Sequence, residues 1–400
     1  MGEKQLRGKM IELDRALEIV RGVPVRVRTE TIPLGEALHR VLAADVRSLI
    51  DSPPFDKSAM DGFAVGGSDD SQELRIVDTI AAGTVPTRDL GSGECARIMT
   101  GAMLPPGASR VIRREFVQES AGSIRVLTPE MGDNVIRKGA SLAAGSTVLR
   151  PKIITPQDVG ALAASGIHQL TAALPPRTIV LCTGPEVLPA GTALGPGQIY
   201  DSNGPQLHAQ LASMRCPASV VTGVEDRPGP LGEAIETALG SCDLLLLTGG
   251  VSAGNFDYVP DCLRELGAEI LVHGVAVKPG KPTLFARFAR RGEQHVFGLP
   301  GNPVSTFVIF ELFVKPFLYR SMGIDWSPVL YRGALARPIR RAQADRTEFL
   351  PVRIRQGLVE AVPYHGSAHL NALADADGLL RIEVGVQEIP EGTQVDVRPL

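Results

Sequence analysis

The spacing of apolar residues changes along the chain, and each change predicts a different kind of structure. Residues 11–20 repeat apolar positions three to four apart, which predicts an amphipathic helix. Residues 44–149 hold short apolar runs separated by glycine and proline, which predict a β-rich insertion. Residues 177–320 mix apolar strands with helical stretches, and residues 329–400 return to short alternating strands. The pattern therefore predicts an α/β region followed by a second, smaller β region.

Within the α/β region, strands and helices alternate along the chain. Residues 178–182 and 243–247 are uninterrupted apolar runs, which are typical of parallel strands buried on both faces. Helical segments are predicted between them at 204–214 and 231–239. This order predicts a layered α/β domain, in which ligands bind beyond the carboxyl ends of the strands.

The chain of 400 residues is long enough for about two to four domains. Glycine and proline are frequent, with 43 and 31 residues, so turns and rigid loops must be numerous. We expect four segments: 1–50 with 145–176 as a linker and dimerisation domain, 51–144 as the β-rich insertion, 177–328 as the α/β domain, and 329–400 as the C-terminal β domain.

Charge and cysteine content narrow the functional class. The formal net charge is −3, which gives no global electrostatic reason to expect binding to nucleic acid or to an anionic membrane. Five widely spaced cysteines without a CxxC motif indicate a reduced, cytoplasmic protein. The most apolar run, 303–318, contains two charged residues and is too short to span a bilayer. We therefore expect no membrane segment, and any positive site must be local.

Two nearby segments predict an anion site. Lys278 and Lys281 alternate with Pro279, Gly280 and Pro282, so the two ammonium groups stand on a stiff loop. Soon afterwards, residues 298–305 run through glycine, proline and asparagine into an apolar helical stretch, where free N–H groups and the helix dipole favour a negative ligand. Each segment alone is explained equally well as an ordinary β-turn or as part of an anion site. Together they favour a phosphate or a tetrahedral oxyanion.

Glycine-rich loops follow the two apolar strands. The first strand runs into Gly184 and Glu186, and the second runs into 248–257, which carries Ser252 and Asp257. Such loops leave backbone N–H groups free for phosphate, and the side chains suit phosphate and a divalent cation. Asp201 adds a further carboxylate just before a predicted helix, so it is either a ligand or a helix cap.

A second pair of acidic residues lies in the β-rich insertion. Asp56 and Asp61 stand among small residues in segment 54–65, which predicts a tight, hydrogen-bonded turn. The turn is either structural or part of a site, and the spacing does not distinguish these.

Six motifs in order identify a family. They are Phe55-Asp-Lys-Ser-Ala-Met-Asp-Gly-Phe-Ala-Val65, Arg97-Ile-Met-Thr-Gly101, Ile199-Tyr-Asp-Ser-Asn203, Thr248-Gly-Gly-Val-Ser252, Lys278-Pro-Gly-Lys-Pro282 and Leu299-Pro-Gly-Asn-Pro303. This set resembles the MoeA family, the molybdopterin molybdenumtransferases, which includes proteins like the gephyrin E domain. The resemblance covers nearly the whole chain.

The resemblance implies a Mg²⁺-dependent enzyme of molybdenum cofactor biosynthesis. Such an enzyme takes molybdate and adenylylated molybdopterin as substrates, inserts the metal at the dithiolene and releases AMP. It also implies an elongated homodimer of four-domain subunits with a MogA/MoaB-like three-layer α/β domain and a C-terminal β-barrel-like domain. The implied partners are the molybdopterin adenylyltransferase and acceptor molybdoenzymes or their chaperones.

The resemblance also implies roles for individual residues. The catalytic set is Asp61, Glu186, Asp201, Asp257, Lys278 and Lys281. The substrate- and molybdate-binding set is Thr100, Gly249, Gly250, Ser252, Pro300, Asn302, Pro303, Ser305, Arg346 and Ser367. The metal ligands are Glu186, Asp201 and Asp257. Cations and hydroxyls around molybdate suit a doubly charged oxyanion, because charge-assisted hydrogen bonds are the strong ones.

One departure from the family pattern bears on activity. Where the family usually has an acidic pair, this chain has Ala140 and Ser141, and Arg137 is displaced by one position. An active molybdenum insertase is therefore one hypothesis. The alternatives are a binding paralogue that acts as carrier, chaperone or regulator, and a nucleotide hydrolase or transferase of another pathway.

Overall fold

The computed structural model describes residues 10–66, 72–251, 258–289, 294–364 and 366–400. The chain divides into two compact units. The smaller unit is Thr31–Leu38 with Ala44–Ala172, and the larger unit holds the described part of Met1–Glu30 together with His39–Ala43 and Ala173–Leu400. The finer division into four segments stays a prediction.

The described residues between 10 and 174 contain two α-helices and twelve strands. The helices are α1 (Leu13–Gly22) and α2 (Pro156–Ala164), and short 3₁₀ turns lie at Leu34–Glu36 and Arg114–Phe116. The strands are β1 (Arg28–Pro33), β2 (Val46–Arg47), β3 (Lys57–Ser58), β4 (Gly62–Gly66), β5 (Glu73–Ile80), β6 (Glu94–Ile98), β7 (Ala108–Arg113), β8 (Val117–Ser120), β9 (Ser123–Val126), β10 (Val135–Ile136), β11 (Thr147–Leu149) and β12 (Gln169–Leu174).

The smaller unit is built on a six-stranded sheet in the order β7-β4-β6-β5-β9-β8. Its strands pair antiparallel except β5 and β6, which are parallel. Central strand β4 is buried on both faces, because Phe63 packs in one apolar cluster and Ala64 packs in another. Gly62 permits the close approach of β7, since a Cβ there would lie 2.0 Å from the carbonyl oxygen of Ile112. The predicted β-rich insertion is thus confirmed.

Residues 177–321 form the α/β part of the larger unit. Its strands are β13 (Thr178–Thr183), β14 (Val187–Leu188), β15 (Ile199–Tyr200), β16 (Ala218–Val224), β17 (Leu244–Thr248), β18 (Glu269–His273), β19 (Val277–Lys278), β20 (Leu284–Phe288) and β21 (Gln294–Leu299). Its helices are α3 (Asn203–Ser213), α4 (Pro228–Leu239), α5 (Val259–Glu265), α6 (Pro303–Ile309) and α7 (Lys315–Ser321), with a π-helical turn at Phe310–Val314 between the last two.

The main sheet has the order β16-β13-β17-β21-β20-β18. The first four strands are parallel, and β20 runs antiparallel to both of its neighbours. Helices α4 and α5 pack on one face of the sheet, against alternate strand residues such as Leu245 and Leu247. Helices α3 and α6 contact each other as well as the sheet. This three-layer arrangement confirms the predicted α/β domain.

The C-terminal part forms a closed barrel. Its strands are β22 (Tyr331–Leu335), β23 (Ile339–Arg340), β24 (Thr347–Arg355), β25 (Leu358–Ala361), β26 (Gly378–Ile382), β27 (Glu388–Ile389) and β28 (Gln394–Pro399), and α8 covers Asn371–Ala374. Strands β24-β25-β22-β28-β26 pair in this order, and β26 returns to β24. Closure leaves no free edge in this five-stranded ring, so the predicted barrel-like domain is confirmed.

All five cysteines are free and buried. In the described ranges no helix is both long and apolar enough to cross a membrane.

His295 on β21 is a buried titratable group of this core. Its ring stacks on that of Phe285, with 5.9 Å between the ring centroids, and meets the ring of Phe317 edge-on, with 4.9 Å between the centroids. Burial lowers the pKa of His295 to about 4, and Arg320 and Arg287 act in the same direction. The unfolded chain binds a proton at this residue near pH 6.5, whereas the folded protein stays neutral down to about pH 4.

We therefore expect His295→Phe to change the pH dependence of stability. In the parent protein this histidine lowers the free energy of unfolding as the pH falls from 6.5 to 4, by about 1.4 kcal/mol per pH unit. The variant should lose that slope and leave stability above pH 7 much less affected. Urea unfolding at several pH values measures the difference, with His208→Phe on an exposed position as control. Equal slopes in parent and variant would contradict a neutral buried imidazole.

Candidate functional site

The carboxyl ends of three parallel strands lie at the same level of the main sheet. In the registers of β13, β17 and β21, Cys182 is opposite Thr248, and Thr248 is opposite Leu299. The loops that follow these strands therefore emerge side by side at one edge. The sequence predicted ligand binding at this edge, and the structure brings the predicted loops together there.

The loop after β17 is packed so closely that it requires glycine. Gly249 has φ +89°, and a Cβ on it would lie 2.5 Å from Thr183 Oγ1, which itself donates a 3.1 Å hydrogen bond to the carbonyl of Thr248. Gly250 also has a positive φ, +62°. The N–H of Gly249 donates to the carbonyl of Leu299 at 3.3 Å, which ties this loop to the end of β21.

The loop after β21 is fixed from helix α3. Asn203 Nδ2 donates to the carbonyl of Gly301 at 2.8 Å, and Gln206 Nε2 donates to the carbonyl of Pro303 at 3.1 Å. Pro303 is the first residue of α6, where its missing N–H removes no helical hydrogen bond. The backbone on both sides of Asn302 is therefore held by side-chain amides.

The same turn contacts the loop that carries Ser367. Asn302 Nδ2 donates to Ser367 Oγ at 2.8 Å, and the N–H of Val304 donates to the carbonyl of Ser367 at 3.1 Å. Ser305 lies in the first turn of α6 and is buried. One turn thus carries four residues that were predicted to bind an anion, Pro300, Asn302, Pro303 and Ser305. A fifth, Ser367, is hydrogen-bonded to this turn.

The lysine loop, defined here as residues 278–282, packs against the C-terminal end of the same helix, α6. A Cβ on Gly280, which has φ +125°, would lie 2.4 Å from Ile309 Cδ1, so only glycine fits there. Thr283 Oγ1 donates to the carbonyl of Gly280 at 2.6 Å and closes the turn. The peptide bond between Lys278 and Pro279 is cis. These contacts give Lys278 and Lys281 the rigid base that the sequence predicted.

A buried carboxylate accompanies the cations of this region. Strand β19 pairs in parallel with the start of β24, so Lys278 lies beside Glu348, and Lys278 Nζ is 2.9 Å from Glu348 Oε1. Arg341 approaches the other oxygen of Glu348 at 3.4 Å. Arg346 precedes the paired segment, and its Nε lies 3.5 Å from Asp345 Oδ2. Both acids offset part of the positive charge.

Lys281 differs from its neighbour. Its side chain is exposed, and across the described ranges no acidic side chain forms an ion pair with it. Its charge is therefore available to a ligand, while that of Lys278 is shared with Glu348.

The predicted metal ligands have different surroundings. Glu186 is exposed, and its carboxylate folds back over Gly184, where a Cβ would lie 2.6 Å from Glu186 Oε1. Asp201 is buried and accepts 2.8 Å hydrogen bonds from the N–H of Gly204 and from Thr222 Oγ1 on β16. The bond from Gly204, in the first turn of α3, is the helix-capping contact that was the alternative to ligation. The role of Asp201 as a metal ligand stays a prediction.

Ser252 and Asp257 lie outside the described residues, so their predicted roles stay predictions too. Among the residues that the structure describes, no group of three or more His, Cys, Asp or Glu side chains is arranged to hold a metal ion. The described part of the site would therefore complete a cation's shell only with groups from elsewhere, such as phosphate oxygens and water.

The acidic turn of the smaller unit is hydrogen-bonded as predicted. Asp61 Oδ1 accepts from both the N–H and Oγ1 of Thr100 at 2.7 Å, and the backbone N–H bond is the main reason why the pKa of Asp61 is lowered. Asp56 accepts from the N–H of Lys138 at 2.7 Å and pairs with Arg137 at 3.0 Å. The displaced arginine is thus held by the same motif.

Sequence reasoning missed three residues of this region: Glu348, Arg341 and Gln206. Glu348 directly precedes the apolar run 349–352 of β24, which is a usable signal because a buried carboxylate needs cationic partners. Gln206 and Arg341 carry no such signal, since each is an ordinary polar residue in sequence.

The fold and the geometry of the site together define a protein with a layered α/β domain, in which loops rich in glycine and proline meet at the carboxyl edge of a parallel sheet. Family models match three consecutive stretches: "MoeA N-terminal region (domain I and II)" at 11–166, "Probable molybdopterin binding domain" at 179–320, and "MoeA C-terminal region (domain IV)" at 332–400. The chain belongs to the MoeA family.

Relatives over most of the chain agree with these models. A molybdopterin molybdenumtransferase of Nostoc sp. is 33% identical over 388 residues, which cover 93% of this chain and 89% of the relative. One from Staphylococcus aureus is 32% identical and covers 92% and 90% of the two chains. The structure of the molybdopterin biosynthesis MoeA protein from Pyrococcus horikoshii has a TM-score of 0.80 at 32% identity, with 98% and 99% of the chains covered.

The packing around Gly249 yields a direct test of the loop geometry. We expect Gly249→Ala to destabilise the protein by more than about 1 kcal/mol, because alanine disfavours this φ and its Cβ would collide with Thr183 Oγ1. Gly232→Ala is the matched control: Gly232 lies in α4 with no atom near its Cβ position, so this change should stabilise by about 0.5–1 kcal/mol. Chemical unfolding compares them, and a harmless Gly249→Ala would contradict the tight loop contact.

Proposed function

We propose that this protein is a molybdenum insertase, which inserts molybdate into adenylylated molybdopterin and releases AMP. The observation that carries the proposal is the anion turn, defined here as residues 299–305. It lies beside the glycine loop 249–250, and it leads into helix α6, against which the lysine loop also packs. The names of relatives at 31–33% identity support a transferase rather than a carrier.

In this proposal the two substrates occupy adjoining parts of one edge. The glycine loop, with Gly249, Gly250 and Ser252, receives the phosphates through backbone N–H groups and a hydroxyl. Molybdate lies near the lysine loop, with Lys281 as the main charge, Lys278 and Arg346 as secondary charges, and Ser305 and Ser367 as hydrogen-bond donors. Because Glu348 already neutralises much of Lys278, we assign the larger electrostatic role to Lys281.

Mg²⁺ is the proposed metal for this reaction. Glu186 suits it, because this carboxylate is exposed at the carboxyl end of β13. Asp257 would be the second ligand, and phosphate and water would complete the shell, as is usual for Mg²⁺. Asp201 fits a positioning role better, because both of its oxygens already accept hydrogen bonds. When bound, Mg²⁺ would supply Lewis-acid stabilisation of the phosphoryl oxygens. In the hydrolysis, the oxygen of water would form a bond to phosphorus as the bond between the two phosphates breaks, which would release AMP.

We further propose a cytoplasmic homodimer that receives its substrate from the molybdopterin adenylyltransferase and passes the product to molybdoenzymes or their chaperones. Five free, buried cysteines support a reducing compartment. Light scattering tests the dimer.

The function is tested by incubating purified protein with adenylylated molybdopterin, molybdate and magnesium. AMP release and cofactor that restores a molybdenum-free apoenzyme are the expected products. Tight binding of both substrates without AMP release would instead indicate the binding paralogue, which the replacement by Ala140 and Ser141 left open.

We expect Lys281→Ala to weaken molybdate binding by about 10- to 100-fold, which corresponds to one charge-assisted hydrogen bond of about 1.5–3 kcal/mol. The fold should survive, because the side chain is exposed. Calorimetric titration with molybdate gives the affinity, and circular dichroism checks folding. Lys281→Arg is the matched control, since it keeps the charge and should retain most of the affinity. Unchanged binding by Lys281→Ala would remove Lys281 from the anion site.

We expect Asp257→Asn to suppress magnesium-dependent AMP release much more than binding of adenylylated molybdopterin, because an amide cannot replace the charge of a carboxylate at a hard cation. Asp261→Asn, the same substitution on an exposed position of α5, should leave the rate unchanged. AMP release is followed across a magnesium titration. A variant with the parent's rate and magnesium dependence would favour a structural role for Asp257.

A further inference from the structure

Helix α3 presents a row of side-chain amides to the helix that carries the anion turn. Gln206 and Gln210 lie one helical turn apart on the same face of α3. Gln206 Nε2 donates to the carbonyl of Pro303 at 3.1 Å, and Gln210 Nε2 donates to Glu311 Oε1 at 3.1 Å. The two glutamines therefore hold the continuous helix 303–321 at two places, its first residue and its π-helical turn.

The second of these places is a buried charge cluster. Glu311 is 5% exposed, and its Oε2 lies 2.9 Å from Lys315 Nζ and 3.3 Å from Arg398 Nη2. Arg398, from barrel strand β28, also donates to the backbone carbonyl of Glu311. The ring of Trp326 covers both cations, at 5.2 Å from Lys315 Nζ and 5.4 Å from Arg398 Cζ. Such a desolvated cluster tolerates little movement, because shifting one partner leaves another buried charge uncompensated.

The π-helical turn makes this anchoring necessary. A π turn interrupts the regular i to i−4 hydrogen bonds, so the helix on either side of it is less firmly coupled than in a straight α-helix. Helix α6, which begins within the anion turn, has only seven residues before the π turn begins. Its position therefore depends on contacts from other elements, and α3 supplies them at both ends.

We propose that Gln206 and Gln210 are positioning residues for the molybdate site: they set the position and angle of helix α6, and thereby the position of Ser305 in its first turn. Neither glutamine reaches the ligand in this proposal. Gln206 acts on the turn itself through the carbonyl of Pro303, and Gln210 acts through Glu311 and the cluster with Arg398. This inference rests on the proposed function for the identity of the anion, but not for the anchoring of the helix.

The test uses Gln206→Met in the full-length protein, because methionine keeps the length of the side chain and removes its donor. Gln206 is half-buried, so the variant should fold. We expect the affinity for molybdate to fall about threefold to tenfold, which corresponds to the loss of one neutral hydrogen bond. The KM for molybdate should rise by a similar factor, while kcat and the KM for adenylylated molybdopterin change by less than about twofold. His208→Met, on the exposed opposite side of α3, should change none of these.

Gln210→Met is the second variant, and hydrogen exchange is the second readout. Both glutamine variants should exchange the amides of 304–306 faster than the parent, without faster exchange in the strands of the main sheet. If exchange is unchanged in both variants, or if it rises while molybdate binding stays equal to that of the parent, the positioning role is overturned. If the parent itself binds no molybdate, the proposed function fails, and faster exchange in the variants would still support the anchoring of α6.

Discussion

The register of the parallel sheet is the constraint on which the site depends. Because β13, β17 and β21 end at the same level, the loops after Thr183, Thr248 and Leu299 must share one small edge. Crowding there explains why positive-φ glycine occupies position 249 and why a Cβ on Gly301 would already lie 3.6 Å from the Cα of Gly249. A shift of any strand by one residue would turn its apolar residues to the opposite face and separate these loops. The apolar sheet thus determines where backbone N–H groups can meet an anion.

Two buried carboxylates then connect the barrel to this edge. Glu348 forms ion pairs with Lys278 and Arg341, and Glu311 forms ion pairs with Lys315 and Arg398. In each case two cations compensate one acid, which is the arrangement that makes a buried charge tolerable. Both acids stand next to elements that carry predicted ligand residues, the lysine loop and helix α6. The barrel therefore carries the predicted ligand residue Arg346 and also fixes the elements that hold other predicted ligand residues.

Much of the fold and of the candidate site was predictable from local sequence patterns, whereas their other features depend on tertiary packing. The continuous apolar runs of β13 and β17 identified the parallel sheet, because strands buried on both faces need apolar residues at every position. The edge hairpin of β18 and β20, in contrast, includes charged residues such as Glu269 and Arg287 and gave no comparable signal. Asp201 allowed two interpretations in sequence, and only the hydrogen bond that it accepts from the N–H of Gly204 reveals its capping role. Gln206 acquires its role solely from the helix opposite.

The unusual segment around Ala140 and Ser141 is organised by acids from other parts of the smaller unit. Asp56 accepts from the N–H of Lys138 and pairs with Arg137, which also pairs with Asp133 at 2.7 Å. Asp51 accepts from the N–H of Ala144 at 2.8 Å. These contacts account for the order of the segment without the acidic pair, so its replacement does not impair the fold. An effect of the replacement on activity would therefore not arise from loss of these contacts.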